Sequence, residues 1–332
     1  MKKFVLNVSL TCSFGTRIST VRDELLKEIV DVEEALTRYR SHTNNLQDYL
    51  PFLRYLPSAS NDAKAYSERR DAYMNRLIDQ IKSDIKEGID APCSVGQVMK
   101  DPAFSFNDGK HMKFSQDRLE TDMLVVEMMS LSITLLSAGL DTIPANLTQA
   151  IAILCSKQGK TIQQDLRSEI MAHYPTLEQA WQGVVSEETV PGLASFVQEV
   201  LRFFSVVPMG FPRTNVEPVQ VGDIRIPQNT WFYMNSRSGN FDPAAYSQPE
   251  EFQYRRFAEN KVPQTGPPMR HFGYGAGTRA CVGFHLANRL MYGFMGRLIL
   301  GWNMQAQSEV DIDPETYNTC PSSLVAEPKD FL

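Results

Sequence analysis

Residues 271–286 constrain the fold more than any other segment of this sequence, because a glycine-rich loop there ends in one cysteine directly before a helical run. Glycine at alternate positions lets the backbone turn tightly and approach a flat ligand closely. A cysteine just before a helix N-terminus lies in a positive field, which favours thiolate, the form that binds metal. Arg279, two residues before Cys281, adds positive charge and can grip a carboxylate with two hydrogen bonds. The loop therefore predicts a thiolate that binds a metal ion beside a flat ligand.

Two other interpretations of Cys281 stay open at this level. A lone cysteine is most often a buried, inert thiol beside a turn. Cys281 is alternatively a nucleophile with His285, four residues later, as its base, although the sequence shows no partner that would orient the imidazole. The pattern G-x-R-x-C-x-G arises by accident in only about one such chain in a thousand, which favours the metal-binding interpretation.

Elsewhere, the sequence predicts helices and, late in the chain, a small β element. The apolar spacing predicts helices over residues 22–40, 61–87, 117 to past 151, 161–173, 191–204 and from about 282 to 301. Short β-prone pieces follow at 219–221, 224–226 and 231–233, and loops are expected at 101–113 and 243–268. We therefore expect a mainly α fold with a small β part, in a single domain over residues 1–332.

Composition excludes several classes of protein. Lys plus Arg is 33 and Asp plus Glu is 39, so the net charge of −6 gives no broad basic footprint for nucleic acid. The cysteines number five and form no CxxC pair, which favours a reducing compartment over a disulfide scaffold. Residues 123–140 are the best candidate for a membrane span, but Glu127 and several hydroxyl residues favour a buried helix instead. We expect no signal peptide and no membrane anchor in this chain.

Residues 274–283 resemble the haem-binding signature of the cytochrome P-450 family, F-x-x-G-x-R-x-C-x-G. The resemblance implies haem (heme, iron protoporphyrin IX) with Cys281 as its axial thiolate and metal ligand. The other residues that it assigns to cofactor binding in this loop are Tyr274, Gly275, Gly277, Arg279 and Gly283. Tyr274 stands where the family usually has Phe. We expect its added hydroxyl near the sulfur, where a hydrogen bond from it would weaken electron donation by the thiolate.

The long apolar helix carries a second constellation around Asp141 and Thr142. Adjacent acid and alcohol side chains are costly to bury in an apolar helix, so a role is plausible, although such side chains also bond their own backbone. Pro144 cannot donate to the carbonyl of Leu140, so a local opening is expected that would admit water or dioxygen. By resemblance this segment lies over the haem, with Gly139 contacting it and Asp141 and Thr142 delivering protons as catalytic residues.

Three arginines and one glutamate complete the resemblance. Glu199 and Arg202 share a helix face at i and i+3, which alone predicts a solvated surface pair. The family joins an E-x-x-R pair to a later arginine, matched here by Arg256, although Tyr254-Arg255 replaces the usual Pro-Glu before it. The resemblance implies a structural role for this group behind the cysteine loop. Arg213 matches an arginine that contacts a haem propionate, so Arg213 and Arg279 are expected to neutralise the two propionates together.

A narrower resemblance, to the fungal phenylacetate hydroxylase group of this family, rests on residues 137–144, 211–215, 285–289 and 327–331. It implies a monooxygenase that hydroxylates a small aromatic acid such as phenylacetate. Dioxygen would be the second substrate, and NADPH-cytochrome P-450 reductase would supply the electrons. The resemblance also implies a chain truncated at both ends, in which the first helices and most of a main β-sheet are missing. A full-length relative would be located at the endoplasmic reticulum membrane.

Two rival functions accompany this prediction. The truncation makes an inactive fragment that holds haem poorly the first alternative. A haem-thiolate isomerase or dehydratase is the second, but relatives of that kind often lack the acid–alcohol pair that Asp141 and Thr142 preserve.

Overall fold

The computed structural model describes residues 1–39, 50, 52, 60–100, 125–258, 271–313, 316, 318–319 and 324–328. Within them the chain divides into two compact units, Met1–Pro144 with Ser322–Leu324 and Ala145–Pro321 with Val325–Leu332. The predicted loop at 101–113, the start of the helix predicted from 117 and part of the predicted loop at 243–268 lie outside the described residues. The prediction of a single domain over residues 1–332 stays a prediction.

Helices build the first unit. Their bounds are α1 Lys2–Phe14, α2 Glu24–Tyr39, α3 Ser60–Glu87, α4 Ser94–Lys100 and the first part of α5, Val125–Cys155. Apolar side chains at helical spacing, such as Leu26, Ile29, Val32 and Leu36 of α2, form one buried cluster with residues of the other helices. Helices α2 and α3 lie within two residues of their predicted bounds.

Helix α1 was not predicted, because its polar residues looked like interruptions of an apolar stretch. The structure shows that two of them bond to backbone instead. The Thr11 hydroxyl donates to the carbonyl of Asn7, and the Asn7 side chain bonds both the N–H and the carbonyl of Ile18. Apolar residues Leu6 and Leu10 can therefore stay buried on the same helix.

Helix α5 continues without a break through Pro144. The hydroxyls of Ser132, Thr134 and Thr142 each donate to the carbonyl four residues earlier. These polar side chains therefore find a hydrogen-bond acceptor on their own helix. Residues Glu127–Cys155 are long and apolar enough to cross a membrane by length and composition alone, a test that the core helix of a soluble protein also passes.

The second unit packs helices around the segment that carries the cysteine. They are α6 Gly159–His173, α7 Leu177–Ser186, α8 Pro191–Phe203, α9 Ser236–Asn240 and α10 Phe284–Gly301. Helices α7 and α10 approach closely at Gly296, where an added Cβ would lie 2.9 Å from Val184 Cβ. The short helices α4, α7 and α9 were not predicted, since five to ten residues give too few turns for a helical period to show.

Within the described residues, the named strands form two antiparallel pairs in the second unit. Strand β1, Arg213–Thr214, pairs with β4, Trp231–Phe232, so that Arg213 lies opposite Phe232. Strands β2, Val219–Val221, and β3, Ile224–Ile226, form a hairpin whose turn contains Gly222 at φ 56°. The predicted mainly α fold with a small β part is confirmed.

Candidate functional site

The cysteine loop consists of two 3-10 turns joined by glycine. His271 caps the first turn, Phe272–Tyr274, and the second turn is Gly277–Arg279. Gly275 and Gly277 have φ values of 80° and 68°, a region in which only glycine avoids a steric penalty. The Cys281 N–H donates to the carbonyl of Tyr274 at 2.8 Å, which closes the loop just before α10 begins at Phe284.

The Cys281 thiol is exposed, which contradicts its interpretation as a buried, inert residue. It precedes the N-cap of α10, Gly283, by two residues, so it lies near the positive end of that helix. Val282 beside it is 94% exposed, and a Cβ added to Gly277 would meet nothing within 4 Å. An exposed thiol, an exposed apolar neighbour and an open glycine backbone together make a surface that a flat apolar group can cover.

The two predicted propionate ligands, Arg213 and Arg279, are exposed, in β1 and in the second turn of the loop. The segment before Arg213 lies beside the loop, because added Cβ atoms at Gly210 and Gly275 would both lie 3.9 Å from the Met234 methyl carbon. Both guanidinium groups are therefore accessible to acidic groups of a ligand.

Glu199, Arg202 and Arg256 form a buried ion network. The Arg202 guanidinium donates to both Glu199 oxygens at 2.8 Å, and Arg256 Nε donates to the same two oxygens at 3.0 Å. Arg202 also donates to the carbonyls of Asn240 and Pro249. The prediction of a solvated surface pair, made from spacing alone, is wrong. Arg256 joins Glu199 and Arg202 as the third member of the network, as the resemblance implied.

Asn240 links this network to the cysteine loop. Its side-chain oxygen accepts from the N–H of Phe272 at 2.7 Å, and its amide nitrogen donates to Ser205 Oγ at 2.8 Å. Because the Asn240 carbonyl is held by Arg202, the network fixes the start of the loop through one residue. Sequence reasoning missed Asn240, which lies in the short helix α9 and has no motif of its own.

Tyr274 is buried, and its hydroxyl donates to Asn288 Oδ1 of α10 at 2.7 Å. Burial, followed by the charges of Cys281 and Glu188, raises the pKa of the Tyr274 phenol. The expected hydrogen bond from this hydroxyl to the sulfur is not what the structure shows, because its single proton is given to Asn288.

Asp141 and Thr142 lie in the first unit. The Asp141 carboxylate accepts from Thr37 Oγ1 at 3.1 Å and lies 3.7 Å from Lys2 Nζ. Burial raises the pKa of Asp141, while Lys2 and Thr37 lower it in part. Thr142 Oγ1 donates to the carbonyl of Ala138 at 2.9 Å, as the alternative of a self-bonded helix predicted. An added Cβ at Gly139 would lie 3.5 Å from Val5 of α1, so this glycine packs beside that helix.

The residues of the cysteine loop fit a haem. A haem offers one metal centre to a thiol, a flat apolar face and two carboxylates, and the loop offers Cys281, Val282 and Arg279 as partners of those kinds. Among the residues described, no group of three or more His, Cys, Asp or Glu side chains can hold a metal ion by itself. His285, the base in the nucleophile interpretation, packs against the ring of Phe284, with ring centroids 3.8 Å apart and planes tilted by 35°.

A family model of the cytochrome P-450 proteins matches residues 1–332, so the chain belongs to the cytochrome P-450 family. It is 38% identical over 335 aligned positions to phenylacetate 2-hydroxylase of Emericella nidulans, across 99% of this chain. It is also 32% identical to 3-hydroxyphenylacetate 6-hydroxylase of that organism, across 100% of the chain, and 30% identical to a cytochrome P-450 monooxygenase of Mycosarcoma maydis, across 99%. The chain spans 61%, 60% and 59% of the length of these three relatives.

Proposed function

We propose that the protein is a haem-dependent monooxygenase in which Cys281 is the axial thiolate. The observation that carries this proposal is the exposed thiol on a glycine loop at the start of α10, in a chain that matches the cytochrome P-450 family throughout. When bound, the haem supplies an iron centre whose thiolate ligand favours cleavage of the O–O bond of dioxygen. Gly275, Gly277 and Gly283 allow the close approach of backbone to haem that this ligation needs.

The roles that we propose for the remaining residues rest on the resemblance, and the exposure of the arginines and the raised pKa of Asp141 support them. Arg213 and Arg279 are exposed cations, and we assign them to the two propionates, with which a guanidinium makes paired hydrogen bonds. The raised pKa of Asp141 lets this carboxyl hold a proton closer to neutral pH, as a proton donor requires. We assign the delivery of that proton to Asp141 together with Thr142, and contact with the haem to Tyr274 and Gly139.

The substrate we propose is a small aromatic acid such as phenylacetate, hydroxylated on its ring. Two relatives carry names of hydroxylases of phenylacetate and of 3-hydroxyphenylacetate. Dioxygen is the second substrate, and NADPH-cytochrome P-450 reductase is the proposed source of electrons. For a full-length protein of this kind we propose the endoplasmic reticulum membrane as the location.

The spectrum of the reduced, carbon-monoxide-bound protein tests the ligand. We expect the haem-loaded chain to show the red-shifted Soret band of thiolate ligation and the Cys281→Ala variant to lose it. Cys12→Ala is the matched control, because Cys12 is also exposed but has no glycine loop. A chain that stays colourless after haem loading, or a Cys281→Ala variant that keeps the band, would contradict the proposal, and the first result would favour the inactive fragment.

Product yield per oxygen consumed tests the proton delivery. With phenylacetate and reductase, we expect Thr142→Ala to consume oxygen while forming about a hundredfold less hydroxylated acid, at the low end of the range of general acid catalysis. Thr134→Ala is the control, since Thr134 of the same helix also donates to the carbonyl four residues earlier. Equal yields from the two variants would contradict the role of Thr142, and turnover without oxygen consumption would favour an isomerase or dehydratase.

A further inference from the structure

Tyr274 is bonded through its backbone to the cysteine and through its side chain to the helix that follows. Its carbonyl accepts the N–H of Cys281 at 2.8 Å, and its hydroxyl donates to Asn288 Oδ1 of α10 at 2.7 Å. The tyrosine side chain between these two bonds is buried. Cys281 therefore lies inside a ring that the chain from 281 to 288 closes with Tyr274.

Only Val282 and Gly283 separate the cysteine from α10, of which Gly283 is the N-cap. Val282 is 94% exposed, so the packing of its side chain holds this connection weakly. Contacts that span the junction fix the place of Cys281 at the positive end of the helix. The hydrogen bond from Tyr274 to Asn288 is such a contact, because it joins the loop to the second turn of α10.

Asn288 Oδ1 also accepts from a donor on α8. The Gly273 N–H donates to His271 Nδ1 at 3.0 Å, so the imidazole proton is on Nε2 and is donated to Gln198 Oε1, 3.1 Å away. The amide nitrogen of Gln198 then donates to Asn288 Oδ1 at 3.1 Å. One oxygen atom thus accepts from both the loop and α8, and a residue that replaces Asn288 must supply an acceptor there.

We propose that Asn288 is a positioning residue that, through Tyr274, holds Cys281 at the start of α10 in the conformation from which the thiolate binds iron. The inference rests on the proposed function, because the bound iron defines that conformation. The role requires both the oxygen of Asn288 and the hydroxyl of Tyr274. It is therefore particular to a chain that has tyrosine where the family usually has phenylalanine.

Hydrogen exchange of the Cys281 amide in the full chain tests the inference by a measurement that does not depend on activity. This N–H is bonded to the Tyr274 carbonyl, so it exchanges when the loop opens. We expect Asn288→Leu to speed its exchange about fivefold, the factor that the net contribution of one hydrogen bond gives. Asn288→Asp keeps an oxygen for both donors and should restore the rate of the unaltered chain.

Tyr274→Phe removes the same bond from its other side. We expect it to speed the exchange of the Cys281 amide by a similar factor, and the double variant Tyr274→Phe/Asn288→Leu to add little further. Gln163→Leu is the control for stability, because Gln163 of α6 is buried in the same unit and bonds two backbone segments. It should lower the thermal unfolding temperature and leave the exchange of the Cys281 amide unchanged.

In the haem-loaded full chain, the carbon-monoxide spectrum reports whether the sulfur is in place. We expect Asn288→Leu to lower the ratio of thiolate-bound to thiolate-free complex, measured from the Soret bands, by about fivefold for the same reason. Asn288→Asp should restore the ratio, and Gln163→Leu should keep it.

Several results would overturn the inference. A Cys281 amide that exchanges at the unprotected rate in the unaltered chain is one, and a Tyr274→Phe variant with unchanged exchange is another, even if Asn288→Leu does not fold. Additive effects of the Tyr274 and Asn288 substitutions would overturn it as well. If the unaltered chain shows no thiolate Soret band, the proposed function is contradicted together with the inference. If the band is present and the variants do not respond as stated, the inference alone is contradicted.

Discussion

Two ion networks of similar composition lie in different surroundings in the two units. In the first unit, Arg69 of α3 donates to Glu28 at 2.7 and 2.8 Å and to Asp31 at 2.7 Å, with 38–55% of these three side chains exposed. In the second, Glu199 accepts from Arg202 and Arg256 at 2.8–3.0 Å, and the exposed fractions are 0%, 0% and 9%. Bond lengths alone would rank the networks as equals.

Burial makes the difference between them. Water and salt screen the Arg69 network, so although the hydrogen bond from Arg69 lowers the pKa of Glu28, the network adds little to the free energy of unfolding. The side chains of Glu199 and Arg202 are fully buried, so removal of one charge leaves the others unpaired in a medium of low polarity. The first network holds two helices together at the surface, whereas the second fixes the segments that support the cysteine loop.

The largest expected effect is that of Glu199→Gln. Two buried guanidinium groups lose their counter-charge, and we expect the free energy of unfolding to fall by about 3–5 kcal/mol. Glu28→Gln in the exposed network should cost no more than about 1 kcal/mol. Denaturant unfolding of the two variants measures both values. Equal losses would mean that burial does not distinguish the networks.

We expect a smaller loss in the free energy of unfolding when a substitution keeps the positive charge but removes the hydrogen bonds of the guanidinium group. Arg256→Lys keeps a cation near Glu199 but cannot reproduce the donations of Arg256 to the carbonyls of Ser247, Gln248 and Glu251. Unfolding should become easier by about 0.5–1.5 kcal/mol, the net worth of an ordinary hydrogen bond, because these three carbonyls belong to exposed residues. Arg69→Lys is the matched control, with an expected change below about 0.5 kcal/mol. If Arg256→Lys unfolds no more easily than the unaltered chain, the positive charge at position 256 is all that matters.

The effect that is smallest at neutral pH is a pH dependence that only the buried surroundings produce. The pKa of His271 falls from 6.5 to about 3 on folding, so the unfolded chain binds a proton between these values and the folded chain does not. His271 should therefore add a loss of about 1.4 kcal/mol per pH unit as the pH drops below 6.5, and none above it. His271→Gln should remove that slope, whereas His173→Gln, at an exposed position, should keep it. A slope unchanged in His271→Gln would contradict the assignment.

Sequence reasoning recovered the long helices because their apolar spacing repeats over several turns. It found α8 and α10 to within two residues, and it missed α1, where polar residues that bond backbone resemble breaks in the pattern. Helix α9 consists of Ser236–Asn240 and carries no apolar period, so its role under the loop was visible only in three dimensions.

At the site, the sequence predicted residue types but not their surroundings. Cys281 and the glycines beside it were found because the loop combines rare residues at fixed spacing. Burial of Glu199 was not predictable from an E-x-x-R pattern, since the residues that cover it come from 240–256, far along the chain. The bond from Tyr274 to Asn288 was missed for a related reason: an asparagine inside a helix gives no signal until its neighbours are known.

The order in which the buried network closes has a consequence for synthesis of the chain. Glu199 precedes Arg256 by 57 residues, which a ribosome adds in roughly 3–11 s. During that interval the nascent helix carries a carboxylate paired only with its own Arg202. Once residues 240–256 emerge, the acid gains its second cation and Asn240 is anchored, before position 281 itself emerges from the ribosome. The cysteine is thus delivered onto a support that is already assembled.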